Sequence, residues 1–260
     1  MNYILKEKHP QKPYSNLSCI VSWNSLDAYL LDCDTAYAAL PATLKHGKPE
    51  TAKMRTPDES ILEKLQNFRT KFSQSKFVKT RKIDWDISGG ALDIPTALAG
   101  IPEHFQIIRH HYGKAVKLVF SPEVHVDTTQ CAMRGAAILS LVQSLEQKGH
   151  RVECWVGWDN TVSGEKYESR ILIKKQGQRL NIVSLAAPFC DEDFLRTCEF
   201  NLIAHFLRTT GVGRNYGITL KGDIVLDGSY KSMSHFSSEE SCLKWIEQMK
   251  QDLATGKGIL

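Results

Sequence analysis

Residues 114–158 hold two apolar runs separated by a long helical stretch, and no other feature of the chain limits the fold as strongly. The run "KAVKLVFS" (114–121) reads as a buried strand. In "TQCAMRGAAILSLVQSLEQKG" (129–149), Ile138, Leu141, Val142 and Leu145 recur on one helical face, and Gly149 is placed to stop the helix. "HRVECWVGW" (150–158) is the next strand. A tight turn joins antiparallel neighbours, whereas a connection containing a long helix crosses over the sheet. The expectation is a right-handed crossover and parallel pairing.

The flanking segments continue the alternation. "YESRILIKKQGQRLNIVSLAA" (167–187) predicts two strands in a hairpin around Gln176, Gly177 and Gln178. "DEDFLRTCEFNLIAHFLRTTG" (191–211) predicts a helix, with acidic residues at its start matching the helix dipole and Gly211 at its end. "GDIVLDG" (222–228) is a short strand. "SSEESCLKWIEQMKQDLATGKG" (237–258) is a closing helix with Cys242, Ile246, Met249 and Leu253 inward. Upstream, "TPDESILEKLQNFRTKF" (56–72) offers Thr56 as N-cap, Pro57 in the first turn and Glu59 for a capping box. Ile61, Leu65, Phe68 and Phe72 then form one apolar stripe. Residues 1–55 are broken by Pro10, Pro13, Pro41 and Pro49, and "SLDAYLLDCDTAYAAL" (25–40) is the helical candidate among them.

This order implies an α/β fold: a three-layer sandwich around a mixed, mostly parallel sheet with an antiparallel edge. An irregular and helical N-terminal extension over 1–83 would precede a core domain over 84–260. The 42% hydrophobic content suffices for a core. No apolar window reaches membrane-spanning length, so no membrane partner is expected. The start, "MNYILKEKHPQKPYS", lacks the apolar block of a secretory signal, which favours the cytoplasm. Seven cysteines (Cys19, Cys33, Cys131, Cys154, Cys190, Cys198 and Cys242) show no C-x-x-C pair, so reduced, buried thiols are expected. No closely paired Cys or His ligands are present, and neither a metal nor a cofactor is anticipated. The adjacent His110 and His111 point apart on either a helix or a strand.

The element order from 114 to 258, and "RGAAILSLVQSLEQKGHRVECWVG" in particular, resembles a von Willebrand factor A-type domain. A metal-binding domain of that type carries D-x-S-x-S after its first core strand, supplying hard oxygen ligands to Mg²⁺. Here the strand is followed by "SPEVHVDTTQ", in which Ser121, Glu123, Asp127, Thr128 and Thr129 are wrongly spaced and Pro122 stiffens the loop. The D-x-S of Asp86 and Ser88, with Gly89, Gly90 and Asp93 behind it, lies well before that strand and reads as a turn. Catalytic patterns are equally missing. Gly211-Val212-Gly213-Arg214 follows a helix rather than a strand, and neither a P-loop nor a G-x-S-x-G elbow occurs. His125, Asp127 and Cys131 suggest a Cys–His pair on paper, but the small apolar neighbours of Cys131 favour a packed thiol. A non-enzymatic protein is expected.

"WDISGGALDIPTALAGIPEHF" followed by a strand and "RGAAILSLVQSLEQKGHRVECW" resembles an uncharacterised family of tailed-bacteriophage proteins over residues 84–156. The shared elements are W-D-x-S-G-G, L-A-G-x-P-E-x-F and an R-G-A-A helix. The resemblance implies a phage origin and the host cell cytoplasm. In size and charge the chain is also similar to the single-stranded-DNA-binding transcription cofactors of lytic podoviruses, which deliver a phage RNA polymerase to melted promoters.

The residues themselves point toward nucleic acid through a charge run. Between Lys64 and Ile83 lie seven basic residues and no acidic one, interleaved with Phe68, Phe72 and Phe77. Single-stranded nucleic acid calls for cations along its backbone and flat rings for its bases. Phe68 and Phe72 belong to the apolar stripe, whereas Phe77 stands outside it. The expected binding segment starts at Arg69; Lys71, Lys76, Lys79, Arg81 and Lys82 contact phosphates, and Phe77, with Tyr216 as a second candidate, stacks on bases. Secondary candidates are Lys174, Lys175 and Arg179 at the expected hairpin, and Arg214 with Tyr216 after the second helix. The function expected is single-stranded DNA binding as an accessory to transcription or replication, with phage RNA polymerase, replication proteins or a second copy of the chain as partners. The alternative is a degenerate A-type domain that docks a phage ATPase or virion component.

Overall fold

The crossover expected between residues 114 and 158 is present in the computed structural model. It describes residues 3–7, 18–57, 59–73, 84–86, 91–92, 105–107, 115–121, 128–162, 165–178, 181–191, 194–207, 216–217, 222–226 and 234–255. In chain order the elements are β1 (Tyr3–Glu7), β2 (Ser18–Trp23), α1 (Leu26–Ala39), α2 (Thr51–Arg55), α3 (Glu59–Ser73), β3 (Asp84–Asp86), β4 (Ala91–Leu92) and β5 (Phe105–Ile107). Next come β6 (Ala115–Phe120), α4 (Thr128–Gln147), β7 (Arg151–Val162), β8 (Glu165–Lys174) and α5 (Ile182–Cys190). A π-helix (Phe194–Glu199), α6 (Phe200–Leu207), β9 (Tyr216–Gly217), β10 (Ile224–Leu226) and α7 (Glu239–Thr255) follow.

The main sheet runs β1-β2-β8-β7-β6-β10, with β9 against the far end of β7. β6 pairs in parallel with both β7 and β10, and β2 in parallel with β8. The β1/β2, β7/β8 and β7/β9 pairings are antiparallel. The fold is thus an α/β sandwich on a mixed sheet, as expected. α4 stops where anticipated: Gly149 takes φ +88° and the His150 amide reaches back to the Leu145 carbonyl at 3.0 Å.

Alternation along each strand separates two faces. Cys19, Val21 and Trp23, Val116, Leu118 and Phe120, Val152 and Val156, and Tyr167 and Ile171 are all buried on one of them. The helices pack there. Trp23 meets Tyr29 of α1 edge-on at 5.0 Å, and Phe120 stacks on Phe189 of α5 at 4.3 Å. α3 lies outside α4 and α5, at a close approach that Gly135 permits: a Cβ there would come 2.9 Å from Leu65. The opposite face carries Lys117, Lys166 and Arg170 beside Glu153, Asp159 and Glu168, with Lys117 5.2 Å from the centre of the Trp155 ring.

Four expectations are corrected. Residues 18–57 are no separate extension: β2 is an interior strand of the sheet, and Tyr29, Leu30, Cys33 and Met54 are buried in the shared core. A division at residue 83 therefore cuts through one core. The hairpin is formed by β7 with β8, and the chain after Gly177 enters helix α5. Asn181 caps that helix by accepting from the Val183 amide at 3.0 Å, and burial of Ala186, Ala187 and Phe189 outweighs the strand preference of Ile182 and Val183. Thr56 ends α2 rather than starting α3, its hydroxyl donating to the Ala52 carbonyl. The helix expected over 191–211 is divided into the π-helix and α6. The stretch at Asp86 begins in a small antiparallel sheet, β3-β5-β4, where Asp86 pairs with Phe105. Ser88, Gly89, Gly90 and Asp93 lie outside the described residues.

Candidate ligand pocket

β2 and β8 are parallel neighbours, so their carboxyl ends finish side by side. From β2 the chain turns at Asn24 into α1; from β8 it turns through Lys175–Gln178 and then enters α5. Between them lies a pocket of about 730 Å³, lined by Asn24, Ser25, Asp27, Arg55, Lys175, Gln176, Gln178 and Asn181 on its polar sides. Leu26, Met54, Leu172, Ile173 and Val183 complete the wall. Open α/β sheets place ligands in this position, outside the carboxyl ends of their strands.

Two helices start at the pocket rim. Ser25 caps α1 by accepting from the Ala28 amide at 3.2 Å, and Asn181 caps α5. The leading amides of a helix carry partial positive charge, and residues at both helix starts line the same pocket. Arg55 adds a guanidinium, held by Asp34 at 3.8 Å, Asp27 at 3.9 Å and the Thr51 hydroxyl at 3.2 Å. Lys175 is exposed and also lines the pocket. Asp27 is the carboxylate in the lining, so the formal charge of the pocket is that of two cations and one anion.

The residues expected to bind nucleic acid fare differently from one another. Arg69 donates to Gln143 of α4 at 3.1 and 3.3 Å and to Gln66. Lys71 is exposed but paired with Glu239 of α7. Lys174 corrects the expectation outright. It is 1% exposed, and its ammonium is held by Glu146 and the carbonyls of Val152 and Lys175. A nucleic acid has no access to it. Lys175, one residue on, is exposed and at the pocket. Tyr216 begins β9, opposite Asn160. Lys76, Phe77, Lys79, Arg81, Lys82, Arg179 and Arg214 lie outside the described residues. Phe68 and Phe72 pack on the core, and all seven cysteines are buried and free, as expected.

Arg55, Asn24 and Asn181 carry no sequence signal, because the pocket is assembled from segments far apart in the chain. Glu199 does carry one: it stands three and four residues before Leu202 and Ile203, on the apolar side of its helix. It is fully buried, and burial pushes its carboxyl up to about 8. Among the described residues no three His, Cys, Asp or Glu side chains form a group able to hold a metal ion, and no helix is long and apolar enough to cross a membrane.

Fold and pocket together define an α/β sandwich protein with a polar cleft at the carboxyl ends of two parallel strands. Over residues 49–255 the chain matches the model of a family described as a domain of unknown function, DUF7192, and it belongs to that family. No curated protein and no solved structure matches it.

Proposed function

We propose that this protein binds single-stranded nucleic acid, and that the pocket between β2 and β8 seats one of its phosphates. The observation that supports this reading is the convergence of two helix N-termini, Arg55 and Lys175 on one cleft. Anions favour such a setting through charge and through the partial positive charge of the helix starts. The opposite sheet face supports it less well, since Lys166 and Arg170 pair there with Asp159 and Glu168, and Lys117 lies over the Trp155 ring, whose indole donates to Glu153. The basic run from Lys76 to Lys82, with Phe77 inside it, follows α3 in the sequence and is the further set proposed to meet phosphates and a base. In this role the protein is a binding factor accessory to transcription or replication.

The alternative, docking of a protein partner, calls for an apolar patch. Among the described residues the exposed large hydrophobic side chain is Leu31 of α1, and a lone leucine is no patch. The test is binding of a labelled single-stranded oligonucleotide by fluorescence anisotropy across a salt series. Expected are tight binding at low salt, steep weakening as salt rises, and losses for Lys175→Gln and for joint replacement of Lys79, Arg81 and Lys82. Absence of binding at low salt overturns the reading and favours docking.

A further inference from the structure

We propose that Glu199 is a proton-operated latch, which when neutral holds the π-helix against the sheet and so fixes Met54 and Arg55 of α2 at the pocket. The inference deepens the proposed function by giving its pocket a control, and it rests on that reading only where ligand is concerned.

Glu199 ends the π-helix and points into the core. Its surroundings are Tyr29 and Cys33 from α1, Tyr167 and Ser169 from β8, and its own neighbour Cys198, with Cys19 of β2 beside Tyr167. Among the described residues no cation pairs with it, and neither carboxyl oxygen has a hydrogen-bond partner. The hydroxyls of Tyr29, Tyr167 and Ser169 face it closely enough to favour its ionised form, yet each stands outside hydrogen-bond geometry. A carboxyl so placed is stable when neutral and costly when charged. Burial lifts its proton affinity to about 8, close enough to neutrality for physiological changes of pH to act on it.

A π-helix is a wide, rare turn that recurs at functional positions. Rewinding it as α-helix changes the rotation per residue, which turns Glu199 away from the core and relieves its charge. Two contacts carry that movement outward. Cys198 meets the Met54 sulfur at 3.5 Å, and Met54 lines the pocket beside Arg55. Asn201, two residues beyond Glu199, accepts from the His46 amide at 3.0 Å and donates to the Gly47 carbonyl at 2.9 Å, holding the loop that leads into α2. Loss of the proton thus loosens α2 and with it Arg55, one of the two cations of the pocket.

Hydrogen exchange of the full chain without ligand tests this at about pH 6 and about pH 9, corrected for intrinsic base catalysis. In the native protein, amides of 194–207 and of 51–55 are expected to lose protection together, by up to about tenfold per pH unit as pH rises toward about 8 and levelling off above it. Glu199→Gln, always neutral, is expected to keep both protected. Ser169→Ala removes a hydroxyl that favours the charge, and so moves the midpoint upward; it serves where the Gln variant fails to fold. Equal pH responses in native and Glu199→Gln protein overturn the latch, as does an unmoved midpoint in Ser169→Ala. Loss of protection at 194–207 alone overturns the coupling to the pocket. Because ligand is absent, none of these outcomes depends on nucleic-acid binding. Oligonucleotide affinity that falls at high pH in the native protein but not in Glu199→Gln then joins the two.

Discussion

The Nζ of Lys174, at the end of β8, donates to a carboxylate oxygen of Glu146 in the last turn of α4. The lysine is 1% exposed and the glutamate side chain 30%, so the pair is anchored inside and open to water at one end. Removing the lysine leaves the Val152 carbonyl without this donor and Glu146 without its cation. Breaking a buried pair costs about 3–5 kcal/mol, and the partial exposure of Glu146 lowers that. Lys174→Ala is expected to destabilise the fold by about 2–3 kcal/mol in urea unfolding, whereas exposed Lys175→Ala stays within about 0.5 kcal/mol.

Glu199 makes stability depend on pH in an unusual sense. Its folded proton affinity, about 8, lies above the ordinary carboxyl value of 4.5, so the folded state holds a proton that the unfolded state releases. The contribution is fully present below about pH 4.5 and is lost as pH rises through about 8, at up to about 1.4 kcal/mol per pH unit between them. Unfolding free energies measured across that window should fall in the native protein relative to Glu199→Gln. Parallel curves would remove the buried acid from the explanation.

These two residues also mark what the sequence makes legible. The crossover was readable because its signals are local: helical periodicity through Leu145, a stop at Gly149, and apolar runs on either side. Lys174 beside Lys175 reads as surface charge, and only the pairing of β8 with β7 and the closeness of α4 turn one of them inward. β2 is hidden in the sequence for a related reason. "SCIVSW" is short and lies in a proline-broken region, and its parallel partner β8 stands more than a hundred residues away. The pocket follows from that pairing, so its Arg55 and Asn24 could not be singled out. Residues 182–187 carry a β-branched start that favours strand, and an Asn cap and core contacts decide for helix.

Gly222 sits where β10 closes on β6. A Cβ there would lie 2.7 Å from Val119 Cγ2 and 2.8 Å from the Lys117 carbonyl oxygen. The backbone has little room to retreat, because the Asp223 amide donates to that same oxygen at 2.8 Å and the Asp223 carboxylate accepts from the Lys117 amide at 2.7 Å. Overpacking of this kind costs about 1–3 kcal/mol. Gly222→Ala should lower the urea midpoint accordingly, and an unchanged midpoint would show that this edge yields freely.

The thiols should be silent until the chain opens. All seven cysteines are buried, and burial pushes Cys154, Cys190 and Cys242 up to about 12, leaving almost no thiolate near neutrality. A thiol reagent is expected to find no fast-reacting group in the native protein and all seven in denaturant. One thiol labelled rapidly under native conditions would reveal a local opening at its element.

Lys175 and Arg55 predict different signatures if the pocket seats a phosphate. Lys175 is exposed, and among the described residues its side chain enters no ion pair, so its ammonium answers a phosphate directly. Each phosphate contact to a single strand contributes a salt slope of about −0.7, so Lys175→Gln should flatten the slope by about that amount with stability unchanged. Arg55 is shared with Asp27 and Asp34, and a phosphate must compete with both. Arg55→Gln should therefore weaken binding less per charge removed, while Asp27→Asn, which frees the guanidinium of one competitor and removes an anion from the pocket, should strengthen it. Weaker binding by Asp27→Asn would place the phosphate elsewhere, because a carboxylate in this lining can only oppose an anion.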